Sequence, residues 1–268
     1  MTKDMTEGAI PHLLVGFTIP LVLGNLFQLL YNAVDSMIVG KFVGETALAA
    51  VGTSSPLMTL AILFISGMCM GAGVLMGMHY GAKDYDVLER QISSTMIGGL
   101  MFSVLLSAVC VFLTPWMLRL IRTQEEVLTG YLRIIFCGLI FTFIYNFYAS
   151  TLRALGDSRS PLYFLMISAA LNVAGDLFFV VVLGWGSNGC AFSTVLSEAL
   201  CCLLCGLYIK KKVKILCLGR KWRVFDRRLF YKTVQFGWVS AMQQASARSE
   251  SRRLSIQWES LSWRRLQS

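Results

Sequence analysis

Four long stretches without any charged residue, and a fifth with a single charge, most strongly limit how this chain can fold. A helix needs about 20 apolar residues to cross the roughly 30 Å hydrocarbon core of a bilayer, and each stretch is about this long or longer. Only 15% of all residues are charged, against about 25% in soluble domains. The sequence therefore predicts an all-α, polytopic membrane protein. The stretches cover positions 8–34, 46–82, 91–118, 134–152 and, with Asp176 as the one charge, 160–197.

Six complete spans fit into these stretches, because the run from 160 to 197 is too long for one crossing. Gly184, Gly186 and Gly189 predict a turn in its middle. A seventh span is expected to start near position 234, with only 234–245 belonging to it. The six predicted spans cover positions 13–40, 48–78, 92–118, 131–152, 161–184 and 189–209.

The distribution of Lys and Arg predicts the orientation of the spans. With a cytoplasmic N-terminal segment (1–12), fifteen Lys/Arg fall in inner segments and four in outer loops, as the positive-inside rule requires. Ten of the fifteen lie in the loop 210–233, which is predicted to be cytoplasmic and to contact anionic lipid. Aromatic residues such as Trp222 interleave with these charges, a pattern also seen in nucleic-acid binding. Lipid contact explains the loop more simply, so we expect no nucleic-acid partner.

Cysteines and glycines within the spans are predicted to serve helix packing. Cys202 and Cys205 form a CxxC pair in an apolar helix, where buried cysteine usually behaves as a small apolar residue. The second span carries two GxxxG motifs, a pattern typical of close helix contact in membranes. The motif glycines are Gly67 with Gly71, and Gly73 with Gly77.

Acidic residues inside the predicted spans are the strongest candidates for function. A charged side chain at the bilayer centre costs at least about 2.5–3.5 kcal/mol, so such residues are rare without a purpose. Asp35 and Asp176 stand out for this reason. Glu198, near the inner half of the sixth span, is expected either to pair with a helix dipole or to snorkel towards the surface.

The first span carries a polar stripe that includes one of these acids. Asn25, Gln28, Asn32 and Asp35 follow one another at helical spacing and share one face. We expect this face to contact protein or a water-filled cavity and not lipid.

Depth within the membrane brings several oxygen-bearing side chains together. At 1.5 Å per residue, Asp35 and Thr194 lie roughly 9 Å and Asp176 roughly 12 Å below the outer edge. Asn172 precedes Asp176 by one helical turn and shares its face. Oxygen ligands of this kind suit a hard cation or a shared proton. The alternative is that each polar group only hydrogen-bonds a neighbouring helix.

Several motifs resemble the multidrug and toxic compound extrusion (MATE) family. The first span and the loop after it carry IPLVLGNLFQ at 19–28, LYNAVDS at 30–36 and VGKFVG at 39–44. The loop before the fifth span carries RALGDS at 153–158 followed by Pro161, and the fifth span carries LNV at 171–173 followed by Asp176. Their order and spacing extend the resemblance over residues 10–245, so the chain is identified as the six-helix N-terminal lobe of a MATE-type transporter.

The resemblance implies a cation-coupled antiporter, not an enzyme, that exports organic and often cationic compounds across the cell membrane. It implies that Asp35, Asn172, Asp176 and Thr194 form the site for the coupling ion, Na⁺ or H⁺, with no other cofactor. A small shift would put Ser193 in the place of Thr194.

A cavity for small organic substrates is also implied by the resemblance. Gln28, Asn32, Tyr145 and Asn146 are expected to line it. Tyr145 and Phe147 offer aromatic faces to a cationic compound, although packing within the protein is the alternative for each of them.

The last residues depart from the family pattern. Positions 246–268 contain seven Ser and five Arg without membrane periodicity, and the complementary C-terminal lobe is missing. One hypothesis is a frameshift, because suitable codons for this segment, read in another frame, give a family-like sequence. Sequencing of the gene tests it. We therefore expect impaired transport by this chain alone.

Three other readings remain. A lipid-linked oligosaccharide flippase of the same superfamily would share the helix count, but basic residues expected in its cavity are not seen in the spans. An intramembrane aspartyl protease also uses two membrane Asp residues, but the flanking glycine signatures are not found around Asp35 and Asp176. The third is a membrane fragment without transport activity.

Overall fold

The computed structural model describes residues 10–121, 125–212 and 225–267, and seven α-helices account for most of them. Most of the predicted N-terminal segment 1–12 and the middle of the basic loop, 213–224, lie outside the described residues. The helices are α1 (Ile10–Ile38), α2 (Glu45–Gly81), α3 (Tyr85–Ile121), α4 (Glu125–Ala154), α5 (Arg159–Asp176), α6 (Gly186–Lys212) and α7 (Arg227–Gln267).

Within the described residues, six helical segments are long and apolar enough to cross a membrane. They correspond one by one to the six predicted spans, which confirms the predicted fold class. Two glycines make the turn predicted between the fifth and sixth spans. Gly184 and Gly186 have φ angles of +67° and +58°, in the left-handed region that glycine adopts at little cost.

Two helices widen into π-helical turns close to the acids that the sequence singled out. α1 continues as a π-turn over Val39–Val43 and α5 as a π-turn over Leu177–Val182. The N–H of Gly44 donates to the Val39 carbonyl at 3.2 Å, and the N–H of Leu183 to the Phe178 carbonyl at 3.0 Å. The two π-turns contact each other. π-turns within helices often mark functional sites. The contact between two of them therefore indicates a functional site at this end of the lobe.

The helix α4 lies at the centre of the lobe and packs against α2, α3 and α6. It supplies three fully buried aromatic side chains, Phe136, Phe143 and Phe147. The Phe147 ring lies 6.0 Å from Phe143 and 5.8 Å from Tyr148, between centroids. Phe147 therefore packs in the core and does not line a cavity. α1, in contrast, lies at the edge and packs mainly against α5.

The loop between α4 and α5 is tied down by one carboxylate. Asp157 Oδ1 accepts the N–H groups of Arg159 (3.2 Å) and Ser160 (3.0 Å) in the first turn of α5. Its Oδ2 accepts the Ser160 hydroxyl at 2.6 Å and the Tyr208 hydroxyl of α6 at 3.3 Å. The family-like RALGDS motif thus fixes the start of α5 and joins it to α6.

The seventh helix begins earlier than the sequence predicted, at Arg227 instead of near position 234. Asp226 Oδ1 accepts the N–H groups of Arg228 (2.9 Å) and Leu229 (3.3 Å), which stabilises a helix start at this point. The prediction was based on apolar runs, and the charged residues Arg227 and Arg228 interrupt such a run, so it placed the helix start too late. The helix also continues past position 245 into the segment with the unusual composition.

Small residues let α7 lie directly against α2. A Cβ added at Gly67 would lie 2.6 Å from the Cβ of Ala241, and one at Gly71 would overlap the main-chain nitrogen of Gly237. This confirms the close contact predicted for the first GxxxG motif. In the second motif, Gly73 approaches Ser150 of α4, but a Cβ at Gly77 would meet nothing within 4 Å.

A buried polar contact joins α7 to α3. Gln91 Nε2 donates to the Thr233 hydroxyl at 2.5 Å and to the Thr95 hydroxyl at 3.2 Å. All three side chains are fully buried. Fully buried side-chain hydrogen bonds hold two helices in one relative position, so this contact sets the register of α7 on the lobe.

We expect Gly71→Leu to separate α7 from α2. The added side chain has no space beside Gly237, and overpacking of this kind costs about 1–3 kcal/mol. Unfolding of the purified chain in detergent should require less denaturant, and protease should cleave α7 faster. Gly77→Leu is the matched control, because this position is open. Equal behaviour of the two variants would contradict the α2–α7 contact.

Candidate cation site

Asp35 of α1 and Asp176 of α5 meet where their helices widen into π-turns. A carboxylate oxygen of each and the Sγ of Cys190 on α6 all lie within 4.8 Å of one another. Asp176 is fully buried, and Asp35 is partly exposed. The structure thus brings together two of the four residues predicted for the coupling ion.

Asn172 and Thr194, the other two predicted residues, lie beside this pair. Asn172 is fully buried, and its side chain bridges α5 and α6. With the amide nitrogen towards the acids, it donates to Asp176 Oδ2 at 3.3 Å, and its oxygen accepts from the Thr194 main-chain N–H at 3.3 Å. This orientation pairs both amide atoms. All four side chains therefore belong to one cluster on three helices.

Ser193, the alternative to Thr194, has a different contact. Its hydroxyl donates to the Asn172 main-chain carbonyl at 2.9 Å, and its side chain is buried. A Cβ added at Gly175 would overlap the Ser193 hydroxyl, so this serine lies where α5 and α6 are in tight contact. Thr194 is half-buried, and its hydroxyl lies 3.2 Å from the Asn172 amide. Ser193 therefore joins the two helices, and its hydroxyl is also within hydrogen-bonding reach of Asp176, whereas the Thr194 hydroxyl contacts the Asn172 side chain.

Two oxygens of the acidic pair lack a hydrogen-bond donor. Asp35 Oδ1 and Asp176 Oδ1 are both shielded from solvent, and no hydrogen bond from the described residues reaches them. Buried acceptors are nearly always satisfied in folded proteins, and an unsatisfied charged oxygen is costly. The two oxygens have the chemistry that a small cation or a shared proton would satisfy.

An apolar cluster lies next to the acidic pair at the π-turn end of the lobe. Ile38 and Val39 of the first helical segment pack there with Val180 and Ala47, and Cys190 belongs to the same cluster. These side chains are all at most 7% exposed. Cys190 thus lies at the boundary between this apolar cluster and the acidic pair.

Two residues of the site were missed by the sequence reasoning. The Tyr31 hydroxyl is within hydrogen-bonding reach of Thr194, and Cys190 adds its thiol to the acidic pair. Each lies one helical turn before a predicted site residue, Tyr31 before Asp35 and Cys190 before Thr194. The spacing i, i+4 was therefore a signal for both, but a role was predicted only for the two CxxC cysteines.

The residues predicted to line a cavity do not form one closed group in the described chain. Gln28 and Asn32 are exposed on α1. In the polar stripe of this helix, only Asp35 is partly buried. Tyr145 donates its hydroxyl to the Pro161 carbonyl at 3.3 Å, and Asn146 donates its amide to the Thr142 carbonyl at 2.8 Å. Their role in a substrate cavity stays a prediction.

Glu198 has a hydrogen-bond partner that the sequence did not indicate. Its Oε2 accepts the hydroxyl of Thr142 on α4 at 2.6 Å, which holds the carboxyl group inside the lobe. It lies one turn after Thr194 on α6. A short hydrogen bond to a fixed hydroxyl offsets part of the cost of placing this acid in the membrane.

The CxxC cysteines of α6 pack against neighbouring helices. Cys202 Sγ lies 3.1 Å from the carbonyl oxygen of Phe141 on α4, and Cys205 is fully buried in the main core. These contacts agree with the packing role predicted for both residues.

Comparison with known proteins matches the chain to one family. The family model described as MatE matches residues 20–178. The chain is 33% identical over 215 residues to the "Probable multidrug resistance protein YpnP" of Bacillus subtilis (strain 168), covering 79% of this chain and 48% of the relative. It is also 33% identical over 233 residues to the "Probable multidrug resistance protein YoeA" of the same organism, covering 82% and 50%. The chain thus spans about half the length of these curated relatives.

Solved structures share the fold. The chain superposes with a TM-score of 0.84 on the outward-facing conformation of a multidrug resistance MATE family transporter of the MOP superfamily, at 23% identity, covering 92% of this chain and 56% of the other. The family consists of transporters, which excludes the intramembrane protease considered from the paired acids. Since the family model covers more than half of the chain, this multi-pass membrane protein belongs to the MatE family of transporters.

Proposed function

We propose that this chain is the cation-binding half of an antiporter that uses Na⁺ or H⁺ to export organic, often cationic compounds across the cell membrane. The observation that carries the proposal is the pair Asp35 and Asp176, with two shielded oxygens that accept no hydrogen bond from the described residues. The names of the relatives YpnP and YoeA, each a probable multidrug resistance protein, support multidrug compounds as the substrate class.

The coupling follows from competition for the negative charge of the acidic pair. When both carboxylates are ionised, they attract a cationic compound or Na⁺. When a proton or Na⁺ neutralises them, their affinity for a cationic compound falls. A ligand shifts the equilibrium between inward- and outward-open states only by its different affinity for the two, so the same charge can couple ion entry to substrate release.

The position of the site suits a change between two states. Asp35 precedes one π-turn and Asp176 another, and the two π-turns contact each other. An ion held between the acids joins α1 to α5 and α6. Loss of the ion leaves two like charges side by side, which favours separation of α1 from the rest of the lobe. α1 is free to respond because it packs mainly against α5.

The substrate cavity is proposed to lie between this lobe and a complementary C-terminal lobe. Gln28 and Asn32 are exposed on α1, next to large apolar residues such as Leu29 and Leu30, which are 67% and 58% exposed. A face of mixed character suits an amphipathic organic cation. The N-terminus and the loop 210–233 are proposed to be cytoplasmic, where the basic loop contacts anionic lipid.

Efflux from vesicles tests the proposed function. The chain is co-expressed with the C-terminal half of YpnP in cells without other drug pumps, and right-side-out vesicles are loaded with ethidium as the cationic probe. An imposed Na⁺ or proton gradient of the correct direction should accelerate ethidium movement against its own gradient. Movement that responds to neither gradient, in vesicles shown to contain both halves, would overturn the proposal.

A further inference from the structure

We propose that the same pocket is also a binding site for Zn²⁺, with the thiol of Cys190 as a third ligand beside Asp35 and Asp176. The three donor atoms come from three helices and lie within 4.8 Å of one another. Carboxylates and imidazoles or thiolates are the usual zinc ligands, and a thiolate distinguishes Zn²⁺ from hard cations such as Na⁺ or Mg²⁺. This inference rests on the cation site proposed above, but it concerns a different ion.

The spacing of the donors suits a small tetrahedral ion after a modest contraction. Zn–O and Zn–S bonds of about 2.0–2.3 Å place two donors of a tetrahedron roughly 3.5 Å apart. The three donor atoms lie within 4.8 Å of one another, so each pair has to close by at most about 1.3 Å. α1 packs mainly against α5, so a small shift of α1 is the proposed route for this contraction.

The orphaned oxygens are the second observation in favour of a ligand. Asp176 is fully buried, and its Oδ1 accepts no hydrogen bond from the described residues. Asp35 Oδ1 likewise accepts no hydrogen bond from the described residues. Asn172 donates to the other oxygen of Asp176 and so leaves Oδ1 for an ion. Such an outer hydrogen bond orients a ligating carboxylate and strengthens metal binding.

The fourth ligand is proposed to be a water molecule or the Thr194 hydroxyl, which contacts the Asn172 side chain beside Asp176. Asp35 is partly exposed, so the ion is proposed to enter on its side. On binding, the thiol of Cys190 loses its proton to water and its sulfur donates an electron pair to Zn²⁺, with no change of oxidation state. Zinc binding and proton release are therefore linked.

The consequence is competition between Zn²⁺ and the coupling ion. Both would use the carboxylates of Asp35 and Asp176, so they cannot occupy the pocket together. A bound Zn²⁺ joins all three helices and holds the lobe in the ion-bound arrangement. Micromolar zinc should then inhibit transport, and Na⁺ or acid should relieve the inhibition.

Absorption spectroscopy with Co²⁺ tests the site directly. The full 268-residue chain is purified in detergent under reducing conditions and titrated with Co²⁺, which gives a thiolate charge-transfer band and visible bands when it is tetrahedral. We expect one Co²⁺ per chain, displaced by Zn²⁺. Cys190→Ser should remove the charge-transfer band, and Asp35→Asn should weaken binding by at least about tenfold, since even outer-sphere changes cost 10–100-fold.

Cys205→Ser is the matched control, because this buried thiol belongs to the cysteine-rich part of α6. The band should survive this change, and gel filtration checks that each variant is folded. A band that persists in Cys190→Ser, or that disappears in Cys205→Ser alone, overturns the proposal. Asp35→Asn keeps the test decisive if Cys190→Ser does not fold. Ethidium efflux without zinc is measured separately, so absent metal binding with intact ion-driven efflux refutes only the zinc site.

Discussion

Asp176→Asn is expected to abolish ion-driven ethidium efflux by the chain paired with a C-terminal lobe. The substitution keeps the size of the side chain and its contact with Asn172, but it removes the charge on which ion binding depends. An interaction with a charged group is worth about 1.5–3 kcal/mol, so ion affinity should fall by about 10–100-fold. Asp35→Asn should also lower ion-driven efflux. The initial rate of ethidium efflux in an imposed gradient measures the effect of both substitutions.

Glu45→Gln provides the control for the loss of a carboxylate. Glu45 is exposed in the first turn of α2, away from the hydrogen bonds of the site, so its variant should transport at the normal rate. Membrane insertion of each variant is checked by its amount in the vesicles. Normal gradient-driven efflux by both Asp variants would show that the acidic pair does not bind the coupling ion.

Thr194 and Ser193 differ in what their removal should do. Thr194→Ala removes a hydroxyl beside Asn172, and we expect a higher Na⁺ or proton concentration for half-maximal efflux with an unchanged amount of folded protein. Ser193→Ala removes the bond to the Asn172 carbonyl and should lower the stability of the lobe by about 0.5–1.5 kcal/mol. Ion dependence and detergent unfolding, measured on both variants, separate the two roles. Identical effects would contradict the distinction.

The spans could be predicted from the sequence because membrane insertion depends on the hydrophobicity summed along a segment of about 20 residues. Twenty apolar residues without charge have few alternatives to a transmembrane helix, and the glycines of the 184–189 turn divided the longest run correctly. The start of α7 could not be found in this way. It depends on the contact of Asp226 with two N–H groups, and on helix partners that hydropathy does not report.

The site was predictable in part for a different reason. A charge in a span is costly wherever it lies, so Asp35 and Asp176 stood out one at a time, and depth alone suggested that they meet. Cys190 and Tyr31 carry no such cost, and only the packing of three helices shows that they share the pocket. The hydrogen-bond partner of Glu198, Thr142, lies on another helix, and nothing in the local sequence pairs the two residues.

Recognition motifs and functional residues need not coincide. The RALGDS motif at 153–158 contributed to the resemblance, yet its Asp157 is used to start α5 and to join α5 to α6 through Tyr208. Such residues place Asn172 and Asp176 at the correct depth without touching an ion. A residue of a family motif can therefore position the helices of the site without itself binding the ion.

The chain by itself is expected to insert into the membrane but to export ethidium at less than about a tenth of the rate of the paired lobes. Alternating access requires one lobe to move against another around a site near the middle of the membrane. The polar and apolar residues exposed on α1 form one side of the proposed cavity. One lobe alone cannot close this cavity to one side of the membrane while it is open to the other. An intact ion site is therefore not sufficient for transport.

Three vesicle preparations with equal amounts of protein decide this point. One contains the chain alone, one the C-terminal half of YpnP alone, and one both. Only the third should couple a Na⁺ or proton gradient to ethidium movement, whereas Co²⁺ binding at Cys190 should be equal in the first and the third. Strong gradient-driven efflux by the chain alone would contradict the need for a second lobe. Metal binding without transport in the same preparation would instead show that the pocket forms within the six-helix lobe and that the second lobe supplies the movement.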